Sequence, residues 1–586
     1  MATRAYWSRA GGAKTSRRRI LQGIAAGTAG GIFAAACGGS GDEQEDLSSV
    51  LAPRATTAPD SDPFANVQRG GILNATFPSD PPALDPYVQA ATYTKGFATY
   101  VYSRLFKYKG GPGIVSTEAP PTGDLAQSAE STPDGLSWTI KLRDNIKFHN
   151  VAPVNGRAVT TDDVKYSWER ATGEKGINRS QLEFIEKAEF PDPKTIVFTL
   201  KEPNAAFLEV MADLNLLWIM PREADGGFDT ATTAIGSGPW IMENYTPSVG
   251  FKFKRNPEWH DSGFPLMDGV NVSIVKEYAS GLAQFQSGGL DTYGVNATDI
   301  VDLKKQLPET QLVGQLSVSL YQFYFDGNPN APWRDERVRQ AMSMALDRDA
   351  ILDLAYNVKN LRAGGIEVKD VWNNILPAAH SRFWLDPKSE AHGETGRFFK
   401  YDPEGAKKLL AEAGYPNGFE AKYQYSANVY GNSHNLVAQA SAEFLNRIGI
   451  KTNIEAQDYN AKYYTQTYRG NFDGIAFGPE SSFPEPGSYP LRQFTPNPLN
   501  KSRADDPVLE KLARDQQREL DEGKRRDMFH EIQRHHAGKM YLIPSSFGSG
   551  YAWIAYQPTL RNAADFATPI GYASGGEQFP FWWKSQ

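Results

Sequence analysis

The residues with chemical reach are few and scattered. The eight histidines are His149, His260, His380, His392, His434, His530, His535 and His536. None has the His-Glu-x-x-His spacing that puts two imidazoles on one helix face around zinc. His530, His535 and His536 share one charged helical stretch and read as solvated surface. A single cysteine, Cys37, excludes an internal disulfide and a cysteine-based metal centre. Gly236-Ser237-Gly238 flanks a serine with glycines, but a hydrolase nucleophile elbow needs its serine between two spaced glycines at a strand-to-helix turn. There is no phosphate-cradling loop. The methionines near 342 fall on the buried stripe of a helix and read as core. No catalytic, metal-binding or cofactor-binding constellation therefore stands out.

Composition bounds the partners. The 586 residues are 40% hydrophobic and 22% charged, with a formal net charge of −7. Residues 1–36 hold six Lys and Arg and no acid, which leaves the body with 55 basic against 68 acidic side chains. An acidic body without a basic stripe argues against nucleic acid. Arg17-Arg18-Arg19 followed by a short apolar, glycine-rich run is the grammar of an export signal, and the run is too short for a confident membrane span. Residues 38–69, rich in Gly, Ser, Asp, Glu, Ala and Pro, read as a disordered tether.

Behind that tether the elements alternate between strand and helix. Ile72 to Phe77 is strand-like. Pro133-Asp134-Gly135 is a turn, and Trp138, Ile140 and Leu142 then share one face of a strand. Thr160 or Thr161 caps a helix with Asp162 and Asp163 in its positive first turn. Asp335 and Asp402 cap two further helices, the second with Pro403 in its first turn. Leu436 to Ile448 is helical, Ile450, Ile454 and Ala456 alternate on a strand, and Phe472 to Phe477 is another. Residues 505–540 are two charged helical stretches. Repeated strand and helix predict α/β lobes with mostly parallel sheets.

The wording of Gly123 to Arg170 adds a family. Gly123, Leu125-Ala126, Pro133-Asp134-Gly135, Leu142-Arg143, Phe148-His149, Asn155-Gly156 and Asp162-Asp163-Val164 follow one another as in the family 5 solute-binding proteins of ABC importers, the peptide- and nickel-binding group, which this stretch closely resembles. Asn150 to Val154 looks like a short insertion. Pro81 to Pro86, Ile235 to Trp240, Asn328 to Ile351 and Tyr401 to Glu404 resemble further phrases of that family. Ala34-Ala35-Ala36-Cys37 resembles a lipobox whose cysteine is lipidated, and the paired arginines resemble a twin-arginine signal with Ile20 in place of the usual Phe.

The resemblance implies a periplasmic-binding-protein-like class II fold, two hinged α/β lobes with mixed sheets plus an extra third lobe. The expected boundaries are an export signal with lipobox at 1–37 and a tether at 38–69. Lobe I takes 70–100, 236–314 and 542–586, the extra lobe II takes 101–235, and lobe III takes 315–541. Chain crossings near 312–318 and 540–546 would form the hinge. In peptide-binding relatives an aspartate after the 477 strand pairs with the ligand's amine. Its place falls at Ser482 here, with Glu480 and Glu485 as possible substitutes. Ligand-contacting residues are expected among Tyr93, Trp240, Tyr321, Tyr425, Phe477, Glu480, Ser482, Phe483 and Glu485. The implied function is an extracytoplasmic, Cys37-anchored and monomeric receptor. It would capture a peptide, or next an oligosaccharide, and hand it to a membrane permease. A secreted hydrolase acting on oligosaccharide or peptide is the alternative reading.

Overall fold

The computed structural model describes residues 63–585, apart from 65, 89–91, 112–113, 115–118, 497–499 and 565–574. The expected export signal, Cys37 and nearly all of the tether lie outside the described residues.

Four sheets carry the fold. The first has the strand order Ile72–Phe77, Gly269–Ile274, Gly250–Arg255, Trp240–Thr246, with the first pair parallel and the others antiparallel. Helix Thr92–Val101 covers it, and Tyr100 stacks on Phe253 at 4.8 Å. The Gly236-Ser237-Gly238 string is a structural turn. Gly238 donates its N–H to Val101 O at 2.8 Å, and a side chain on Gly236 would collide with that same carbonyl. His149 of the long signature locks the turn from the other side. Its Nε2 lies 3.0 Å from Gly238 O, and Gly236 donates its N–H to Nδ1 at 3.4 Å. The signature thus builds scaffold.

The second sheet is antiparallel, in the order Ala126–Ser131, Ser137–Leu142, Thr195–Leu200, Ile185–Asp192. Gly135 turns the first hairpin at φ +69°, which only glycine adopts freely. Helix Thr161–Thr172 follows, capped by Thr160, whose N–H donates to Asp163 Oδ2 at 3.0 Å. Arg157 clamps the same Asp163, Nη2 to Oδ1 at 2.6 Å.

The third sheet has five strands in the order Ile450–Gln457, Phe419–Ser426, Ile475–Glu480, Leu320–Phe325, Ile543–Pro544. Its first three strands run parallel and the last two pair antiparallel, so it is mixed. Asp335 and Asp402 cap helices Glu336–Met344 and Pro403–Glu412, accepting from the backbone N–H of Arg337 and Gly405. Helix Gly431–Arg447 begins five residues before the expected Leu436, because Gly431, at φ +82°, starts it. The 472–477 strand starts at Ile475 and runs to Glu480. Ile454 faces solvent, unlike the buried Ile450, so the expected alternation fails there.

A three-stranded antiparallel sheet, Thr292–Val295, Tyr551–Tyr556 and Gln311–Leu316, joins the rest. Successive side chains of a strand point to opposite faces, and here both faces are covered. Trp553 and Ala555 enter the core of the five-stranded sheet, whereas Tyr556 and Ile554 enter the core shared by the first two sheets. Two boundaries consequently move from where the sequence places them. Phe285 to Leu303, expected in lobe I, packs with the core of the five-stranded sheet. Ile543–Pro544, expected to have left lobe III at 542, still pairs with Leu320–Phe325. The chain passes between the three- and five-stranded sheets at 317–319 and again at 545–550. Ser317 N–H donates to Gly550 O at 3.0 Å across the two passages.

Candidate functional site

The loop leaving Glu480 is the centre of the candidate site. Glu480 is not free. It is 4% exposed, its Oε1 lies 3.4 Å from Arg492 Nε, and its Oε2 lies 3.8 Å from Lys501 Nζ. Glu485 is held by Arg525, Nη2 to Oε1 at 2.5 Å, with both side chains buried. Each carboxylate expected to meet a ligand's amine is therefore already neutralised from within the chain. Phe483 lies under the Arg492 guanidinium and meets Tyr489 edge-on at 5.1 Å. Tyr489 ties this loop to the first chain passage. Its hydroxyl donates to Val318 O at 3.1 Å and accepts the Phe483 N–H at 3.1 Å. Ser482 is partly exposed between the two glutamates.

Tyr321, Tyr425 and Phe477 come together around a residue that sequence reasoning did not select, His434. Its ring stacks on Phe477 at 5.4 Å and lies 5.6 Å from Tyr321, 5.9 Å from Tyr425, 5.2 Å from Tyr430 and 6.0 Å from Phe547. Burial pushes His434 down to about 4, so the imidazole is neutral at pH 7. Tyr93 and Trp240 stand elsewhere, on the first sheet. Trp240 is fully buried and donates its indole N–H to Gly576 O at 3.1 Å. Tyr93 is half-buried, 6.3 Å from Phe77.

The expectation of a solvated histidine cluster on the charged helix Glu522–Lys539 is corrected. His536 is wholly buried, and its Nε2 accepts the Leu542 N–H at 3.3 Å. Burial, with Arg339 and His535 beside it, pushes it down to about 3. His535 pairs with Asp506 at 2.8 Å. Helical periodicity alone does not show that this helix is sandwiched. No group of three metal-ligating side chains occurs among the described residues.

A cavity of about 300 Å³ opens beside Glu485. One wall is Tyr108, Ala119 to Pro121, Ala205 and Glu209, from the region of the second sheet. The other is His380, Arg382 and Phe383, the Pro484 to Pro486 loop, and Glu519 to Arg525. Residues from two different hydrophobic cores, Tyr108 and Ala119 from one and Phe383 from the other, thus line one polar space. Burial pushes His380 down to about 4, so it adds no charge at pH 7. Of the residues expected to contact ligand, the cavity is lined only by Glu485. Glu209, His380, Arg382 and Arg525 were missed because nothing in their local pattern separates a cavity wall from a charged helix face.

The comparisons with known proteins agree with this architecture. The family model of the bacterial extracellular solute-binding proteins, family 5 (middle), matches residues 120–501. Heme-binding protein A of Haemophilus influenzae is 28% identical over 66% of this chain and 70% of its own. The glutathione-binding protein GsiB of Escherichia coli K12 is 27% identical over 64% and 67%. Among solved structures, the ABC transporter substrate-binding protein CtaP of Listeria monocytogenes superposes with a TM-score of 0.73 at 22% identity, covering 89% of this chain and all of that one. The oligopeptide-binding protein AppA of Bacillus subtilis, in complex with a nonapeptide, gives 0.69 at 20% with the same coverage. These structures share the type II periplasmic-binding fold expected from the sequence. The chain belongs to the bacterial extracellular solute-binding proteins of family 5.

Proposed function

We propose that this solute-binding protein captures a short peptide between its halves and delivers it intact to an ABC permease. The supporting observation is the cavity beside Glu485, lined by residues of two different hydrophobic cores in a chain that belongs to this family. The paired passages at 317–319 and 545–550 act as the hinge, because few residues must change dihedral angle for the halves to close. Closure is favoured only by the solute's differential affinity for the closed form. The protein is exported by the twin-arginine route, is held at the outer face of the cytoplasmic membrane through a lipidated Cys37, and works as a monomer.

Native mass spectrometry of the protein released from membranes tests this reading. A one-to-one complex with an uncleaved peptide is expected. Added peptide at 100 times its dissociation constant should then stabilise the fold by about 2.7 kcal/mol. A co-purifying oligosaccharide would move the ligand class, and cleaved solute would favour the hydrolase reading. Cys37→Ala should release the protein from the membrane fraction.

A further inference from the structure

A second polar cavity, of about 200 Å³, lies on the five-stranded sheet away from Glu485. Leu320 and Tyr324 point to the same face of their strand, four residues apart. Leu320 leads to the cavity beside Glu485, whereas Tyr324 lines the second one, about 13 Å further along the strand. Three cations line this second cavity, Arg469, Lys501 and Arg503, and no carboxylate does. In a body that is acidic overall, this is a local reversal of charge.

The three cations are placed by rings and backbone more than by acids. Lys501 is 5% exposed, and its ammonium lies 3.6 Å from the Tyr468 ring centre and 5.0 Å from that of Tyr324. An ammonium carries three donors. Lys501 donates to Pro479 O at 3.2 Å, while the carboxylate of Glu480 stays 3.8 Å away, beyond hydrogen-bond reach. Arg503 sits at φ +50°, uncommon for a residue with a side chain, and its Nη2 donates to Gly470 O at 2.5 Å. Its guanidinium fits between two glycines: a Cβ on Gly327 would fall 2.6 Å from Nη1, and one on Gly470 would fall 3.0 Å from Nη2. The Arg469 guanidinium lies over the Tyr464 ring at 5.6 Å. Neither arginine has an ion-pair partner among the described residues. Like charges held together in a partly desolvated recess repel one another, and an anion between them relieves that cost.

We propose that this second cavity is a binding site for a phosphate-type oxyanion, free or as the head of a small phosphoester. The forked guanidiniums of Arg469 and Arg503 grip its oxygens, and Lys501 supplies a point charge from the floor. The site is separate from the solute cavity and does not depend on the peptide reading.

Isothermal titration of the full protein with inorganic phosphate and with glycerol 3-phosphate, at constant ionic strength set by chloride, tests the assignment. At least one of the two should bind saturably, one to one, and whichever binds more tightly identifies the free or the esterified form. Arg469→Gln/Arg503→Gln should weaken that binding at least tenfold. Arg469→Gln alone, which removes a side chain with only a ring contact among the described residues, should weaken it at least threefold. Lys407→Gln/Lys408→Gln, which removes the same charge from an exposed helix face elsewhere, should leave it unchanged. Saturable binding of neither anion, or equal weakening by the two double variants, would overturn the assignment. Melting curves of the variants without phosphate that match the wild type show that the loss is not one of folding.

Discussion

The strand Leu320–Phe325 separates two regions of opposite character. On one face Tyr321 and Phe323 join the aromatic nest around His434, where the contacts are ring against ring. On the other face Leu320 packs with Phe383, Tyr489 and Phe529, the wall that leads to the charged cavity. The nest is held by dispersion and the removal of apolar area from water, which are nondirectional and tolerate similar shapes. The cavity is held by ion pairs whose members are costly to leave alone. A substitution that conserves shape should be mild in the nest. One that removes a single charge should be severe at the cavity.

Acidification strikes both regions and should have the largest effect. His149, His380 and His434 are pushed down to about 4 and His536 to about 3, each chiefly by burial. Between pH 6.5 and these values the unfolded chain binds more protons than the native one, so stability is full above about pH 6.5 and falls as pH drops through the window. One pKa unit is worth about 1.4 kcal/mol, so unfolding free energies from urea melts at pH 7 and pH 5 should differ by several kcal/mol.

Arg525→Ala should cost about 3–5 kcal/mol in urea melts by leaving Glu485 buried and unpaired. The double variant Arg525→Ala/Glu485→Ala should cost less than the sum of the two single changes. Phe477→Ala in the nest should cost a similar amount, about 3–5 kcal/mol, by opening a void in a fully buried site. The comparison is sharpened by the milder exchanges. Tyr489→Phe removes the tie between Val318 and Phe483 and should cost about 1 kcal/mol, since hydrogen bonds contribute roughly that net amount. Tyr321→Phe keeps the ring and should stay within about 0.5 kcal/mol.

Much of the scaffold was legible because it rests on local rules. The caps Thr160, Asp335 and Asp402, the hairpin at Gly135 and the strand Ile72–Phe77 are each fixed by residues close in sequence. The mixed α/β fold with its family was legible in the long signature, and His149 against the Gly236 turn shows why: those phrases meet in space to brace the scaffold. The site was legible only in part. Tyr321, Tyr425 and Phe477 converge, but the group at their centre, His434, looks in sequence like any polar helix residue. Glu480 and Glu485 flank position 482, where the resemblance puts an aspartate, yet their partners Arg492, Lys501 and Arg525 lie 12 to 40 residues away, and no local pattern reports such a pairing. The same limit hid the burial of His536 and the double-sided role of Tyr551–Tyr556, since both depend on what packs from outside the element.

Small-angle X-ray scattering of the full chain, with and without a saturating peptide recovered from the native protein, tests the central claim most directly. The radius of gyration should fall on binding while the mass stays that of one chain and one uncleaved peptide. An unchanged profile with the peptide bound would contradict a hinged enclosure between the two halves.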